Sequence, residues 1–465
     1  MFRRTLLAAM VAAGPALAQP TVVPDCAVAV ALGSDLEADV TYRCRSPTSL
    51  TFLAGDRAGP FVAGLKVETA NGLTEAHYRF DIAGFARAVD STSLAVLRGK
   101  SALLGLGAWL LEPRGYDRTP VIDIRVATPP GMVFATGLPK VGDAWRLSGT
   151  PLRFAGFSVL GNVTYRELAV PAPGSLREGN GPQNGVLRLA ILEGIGETGT
   201  ADLLDWVART AEAESHYWQG FTAERALLAL VPTDTRRGVG FGRAESGGGV
   251  SVMVEVGRDV DRRLLFNDWV LVHELIHTGM PYIRGRGSWL MEGAATYVEP
   301  IIRARAGWKS EEEVWREWLD NMPHGVAGFS HGLSRTSGRD VYWSGAIFML
   351  LADLGIRRES NGAKGLENCL RGILWNGLDG TQWTTVTDYA AACDRVTGTH
   401  AMSALVERRY DKAEAIDLDA LWKELGVSLV GGRVALDDSA PSARWRKLIV
   451  PGVLPPRRIK LPWES

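Results

Sequence analysis

Residues Arg263–Thr278 read RLLFNDWVLVHELIHT, and the last six of them decide how the rest of the chain is read. The apolar residues Leu264, Leu265, Trp269, Val270 and Leu271 recur near helical spacing, which predicts one helix over Arg263–Thr278. His273 and His277 lie four apart. At 3.6 residues per turn they project from one face one turn apart, so both imidazoles can reach a single ion at about 2.0–2.1 Å. Glu274 projects from the adjoining side, where a carboxylate can take a proton from a water on that ion without ligating it. An amphipathic helix carrying two satisfied histidines is the rival reading of the same residues.

Two features downstream weigh against that rival. Trp289-Leu290-Met291-Glu292-Gly293 opens a second helix after a loop containing Pro281, Gly285 and Gly287, and an antiparallel return brings Glu292 over the histidines. Two histidines and one glutamate leave the fourth position of a zinc ion to water, the arrangement of a catalytic site. The second feature is Val341-Tyr342-Trp343-Ser344-Gly345-Ala346, a tyrosine just ahead of a Gly-Ala helix start. A phenol there can donate a hydrogen bond to the oxyanion that develops during attack on an amide.

HELIH, then WLMEGAATYVE, then VYWSGA resembles the gluzincin metallopeptidases, in particular the aminopeptidase N and glycyl aminopeptidase types. The resemblance covers about Gly240 to Arg357. It implies that His273, His277 and Glu292 hold one zinc ion, that Glu274 is the catalytic base, and that Tyr342 stabilises the transition state. It further implies that Gly242-Arg243-Ala244-Glu245-Ser246 is an edge strand pairing with an extended peptide, with Glu245 gripping the substrate's free amine. Fourteen residues separate His277 from Glu292, fewer than is common in the aminopeptidase N type, and Glu299 on the same helix is the alternative third ligand.

The remaining sequence sets the frame for this site. A length of 465 residues suggests two or three units. With 46% hydrophobic and 22% charged residues and a net charge of −1, the composition is that of a folded globular protein and excludes the basic footprint of a nucleic-acid binder. Met1 to Ala18 has the charged start, apolar stretch and Ala16-Leu17-Ala18 ending of a secretory leader, so export to the periplasm or the extracellular space is expected. No later run is long and apolar enough for a membrane span. Four cysteines allow three pairings. The local pairs Cys26/Cys44 and Cys369/Cys393 are favoured because each falls within one proposed domain.

Short Val-, Leu-, Phe- and Thr-rich runs punctuated by Gly and Pro place an all-β domain at residues 19–169. A Pro- and Gly-rich connection, Val170 to Pro182, follows. The catalytic domain is expected over residues 183–426 and a C-terminal tail over 427–465. Within the catalytic domain, strands are predicted at Val186–Leu192, Ala226–Val231 and Val250–Val256. Helices are predicted at Ala201–Tyr217, Trp289–Arg305, Ser310–Asp320, Tyr342–Ile356 and Met402–Tyr410. Trp308, Trp315 and Trp318 read as core packing, and His324 and His331 as exposed loop residues.

The expected whole is a multi-domain α+β protein: an N-terminal all-β domain followed by a thermolysin-like catalytic domain with a small mixed sheet and a mostly helical half. The expected activity is zinc-dependent hydrolysis of peptides or proteins from their amino end. The alternatives are a zinc endopeptidase with the same site and Glu245 idle, or a secreted binding protein retaining structural zinc. The binding protein would need neither Glu274 nor Tyr342.

Overall fold

The computed structural model describes residues 23–178, 183–234 and 237–451. The leader expected at Met1–Ala18 lies outside them. In the N-terminal part, strands alternate buried and exposed side chains, as in Glu37–Arg45, where Ala38, Val40, Tyr42 and Cys44 point inward. A seven-stranded and a four-stranded sheet share one core that includes Val30, Val40, Tyr78, Leu104 and Leu160. The region is not purely β. Asp81 accepts a hydrogen bond from Gly84 N–H and starts a helix over Ile82–Val89 whose apolar face joins the same core.

A five-stranded mixed sheet follows, made of β1 (Val163–Pro171), β2 (Asn184–Leu192), β3 (Arg225–Thr233), β4 (Val239–Ser246) and β5 (Val250–Gly257), in the order β1-β2-β3-β5-β4. β2, β3 and β5 run parallel, and β1 and β4 are antiparallel edges. The sheet thus takes in Val163–Pro171, which the sequence divides between the expected N-terminal domain and the start of the connection at Val170. Both of its faces are covered, which is why LRLAIL, ALLALV and VSVMVEV are nearly continuous apolar runs. Leu187, Leu189, Leu228, Leu230, Val252 and Val254 pack on the helical side with Leu203 and Val207 of α1 (Glu197–Trp218) and Leu271 and Leu275. Ala190, Leu192, Leu227, Ala229 and Met253 face Val96, Leu103, Phe157 and Val159 of the four-stranded N-terminal sheet. The two parts therefore meet across a packed sheet-on-sheet layer.

The helical half is built around α2 (Val270–Thr278), α3 (Ser288–Arg305) and α4 (Asp340–Glu359). The single helix expected over Arg263–Thr278 is instead two, Arg262–Asn267 and α2. The Asp268 carboxylate accepts from Val270 N–H at 2.6 Å, so a local side-chain acceptor interrupts the ladder. α4 begins at Asp340, ahead of the expected start at Tyr342, which sits in its first turn. The predicted capping box of Ser310 and Glu313 is present. Trp315 and Trp318 are buried, with Trp318 stacked on Tyr297 at 4.9 Å, in the largest core among the described residues. Both local disulfides form, Cys26–Cys44 between directly paired strands and Cys369–Cys393 between two helices. No helix among the described residues is long and apolar enough to cross a membrane.

Candidate metal centre and active site

All nine residues of α2 are buried, and its histidine face looks toward the start of α3. The chain reverses after His277 through Tyr282–Ile283, which pairs with Trp383–Thr384, and through Gly285 at φ 74°. That left-handed backbone favours glycine and makes the short connection close. α3 then places Glu292 Oε2 at 3.2 Å from His273 Nε2 and 3.4 Å from His277 Nε2. Among the described residues, His273, His277 and Glu292 form the one group of three or more His, Cys, Asp or Glu side chains whose ligand atoms converge, all within 4.8 Å of one another.

Ligands about 2.0–2.1 Å from a tetrahedral ion stand ~3.3 Å apart. The two spacings to the Glu292 oxygen match that figure, and a two-nitrogen, one-oxygen donor set suits zinc. The residues therefore fit the metal that the sequence reading assigned. Burial works against the Glu292 anion, but the charge of His277 and hydrogen bonds from both imidazoles outweigh it and hold the carboxyl well below its usual range. For His277, burial disfavours the cation, and Glu292 and Glu274 more than compensate.

The alternative third carboxylate, Glu299, lies further along α3. It is buried and bonded to Arg303 Nη1 at 2.9 Å, and Arg303 in turn donates to Asn267 O at 2.8 Å. Burial raises the Glu299 carboxyl to about 7 against the opposing charge of Arg303. This pair ties α3 to the break before α2.

Glu274 is 9% exposed and lies under β4. A Cβ on Gly242 would stand 2.5 Å from Val270 Cγ1 and 2.6 Å from Glu274 Cγ, so only glycine lets the strand approach this closely. Burial raises the Glu274 carboxyl, while the imidazoles and a hydrogen bond from the Ala244 backbone oppose the rise. The Tyr342 ring lies 6.0 Å from that of His273. Its phenol is pushed up to about 12, first by burial and then by the negative charge of Glu292 and Glu274, so it stays protonated and able to donate. Glu245 stands on β4, the sheet edge, ion-paired with Arg243. His324 and His331 are exposed and lie outside the cluster.

Several contributors escaped the sequence reading. Gly293 and Gly345 bring α3 and α4 backbone to backbone: a Cβ on Gly293 would lie 2.2 Å from Gly345 Cα, and one on Gly345 would lie 1.9 Å from Trp289 O. Glu292 is next to one of these glycines and Tyr342 is three residues from the other, so this crossing fixes both side chains against α2. The WLMEG and YWSGA motifs contain the signal, but only the pairing of the two helices reveals it. Trp269, 47% exposed, presents its ring at 5.1 Å to His273.

No family model and no curated protein matches the sequence. Solved structures do. An aminopeptidase N family protein from Idiomarina loihiensis superposes with a TM-score of 0.61 at 15% identity, over 86% of this chain and 78% of that one. The Legionella pneumophila aminopeptidase A, in complex with aspartic acid, superposes with a TM-score of 0.50 at 11% identity, over 84% of this chain and 49% of that one. The chain shares the fold of these two proteins, as the motifs led one to expect.

Proposed function

We propose that the chain is an exported zinc aminopeptidase. The observation that carries this reading is the convergence of His273, His277 and Glu292 directly beside Glu274 and Tyr342, under an open edge strand. The three would hold the ion. Bound zinc supplies Lewis acidity toward a peptide carbonyl and lowers the pKa of water.

The protein's own groups carry the rest. An extended peptide adds to β4 by main-chain hydrogen bonds, running antiparallel to it with its ammonium at Glu245. Glu274 accepts a proton from the attacking water and delivers it to the departing amine. Its burial supports that role, because a desolvated carboxylate is a stronger base. The Tyr342 hydroxyl donates to the oxyanion of the tetrahedral intermediate. The leader at Met1–Ala18 and the two disulfides support an oxidising, exported setting.

Tyr342→Phe should lower kcat by roughly 10²- to 10³-fold, as for loss of one oxyanion donor, with little change in KM. Steady-state kinetics on an aminoacyl amide measures both, and an unchanged kcat removes Tyr342 from the mechanism. Digestion of one peptide in free and N-acetylated forms separates aminopeptidase from endopeptidase. The free form alone should be cut; equal cutting of both would assign an endopeptidase in which Glu245 has no part.

A further inference from the structure

We propose that Arg243 makes this chain select peptides whose first residue carries a side-chain carboxylate, N-terminal aspartate or glutamate. This rests on the aminopeptidase reading above. Arg243 and Glu245 are two apart on β4 and so share one face of the strand. Gly242 and Ala244 occupy the other face, against Glu274 and the sheet–helix core. The charged pair thus faces the N-terminal β part. Arg243 Nη1 reaches Ser93 O at 3.5 Å, and a Cβ on Gly156 would lie 3.8 Å from Glu245 Cβ.

In the free chain the two charges neutralise each other: Arg243 Nη2 is paired with Glu245 Oε1, and the side chains are 42% and 28% exposed. A substrate ammonium docking on Glu245 claims that carboxylate. Arg243 is then left with the long contact to Ser93 O. The neighbouring carboxylate, Glu255 of β5, is engaged by Thr92 Oγ1 at 2.6 Å and by Phe241 N–H at 3.4 Å. A first residue with its own carboxylate restores the balance, ammonium to Glu245 and carboxylate to the planar guanidinium. A neutral first residue leaves the guanidinium without a carboxylate partner, and a lysine is repelled.

The test compares kcat/KM of the full zinc-containing chain on Glu-, Asp-, Ala- and Lys-7-amido-4-methylcoumarin. The Glu and Asp substrates should exceed Ala by about tenfold or more, the value of one charged hydrogen bond. In Arg243→Ala the Glu-to-Ala ratio should fall toward unity, mainly through KM, and Arg243→Lys should recover part of it. Calorimetric binding of Glu-Ala-Ala and Ala-Ala-Ala to the Glu274→Gln chain should show the same order. Equal wild-type values for Glu and Ala, or a ratio untouched in Arg243→Ala, overturns the proposal. If free peptides are still preferred over acetylated ones in that case, the aminopeptidase reading stands without it. The wild-type ratio decides the matter even if a variant fails to fold.

Discussion

Glu274→Gln is expected to lower kcat/KM on a free peptide by roughly 10²- to 10⁴-fold, the span of a lost general base, while leaving metal content unchanged. Glutamine keeps the volume of the side chain under β4, where Gly242 leaves no slack, and it can still accept from Ala244 N–H. What it loses is the capacity to take a proton. Glu274 is not among the three converging ligand atoms, so its charge is not needed to retain the ion. Kinetics together with elemental analysis of the same preparation makes the check. Normal turnover by the variant would show that another group handles the proton.

Gly345→Val acts through the fold on the same chemistry. A Cβ at this position would meet the carbonyl oxygen of Trp289 and the backbone of Gly293, atoms that no rotamer change can move aside. Overpacking commonly costs about 1–3 kcal/mol, and backbone-to-backbone contact puts this site at the upper end or beyond. The helices must separate, carrying Tyr342 and Glu292 with them. A displacement of about 1 Å at a catalytic group can cost ~10²-fold in rate. Thermal melting and kcat/KM should therefore fall together. A variant with wild-type stability and activity would show that the crossing does not set the site.

The helix of His273 and His277 was legible because helical periodicity is local: a spacing of four fixes that the two share a face, whatever surrounds them. Glu292 and Tyr342 were legible as chemistry, an acid and a phenol near helix starts, although the start of α4 at Asp340 was not. The break at Asp268 was hidden because apolar spacing continues across it, while the interruption comes from one carboxylate bonding Val270 N–H. Gly242, Gly293 and Gly345 could not be read in advance. Their requirement for glycine comes from partners far along the chain, with Gly293 and Gly345 meeting only once α3 and α4 cross. The C-terminal stretch resisted reading for a similar reason. Arg446 is buried, where its guanidinium donates to Leu425 O, Gly426 O and Asp437 O and so anchors helix Ala443–Ile449 to the body. Nothing local in sequence marks an arginine for the interior. The Arg243–Glu245 pair was likewise open to sight in the sequence, but its meaning depends on β4 being an edge.

If side chains from α2 and α3 close on one zinc ion with Glu292 as the third donor, the metal content of the chain depends on that carboxylate. Elemental analysis of the purified chain and of Glu292→Ala, both dialysed against a weak chelator, reads this dependence. One zinc per chain in the wild type and almost none in the variant is the expected result, whereas equal zinc in both would contradict the assignment.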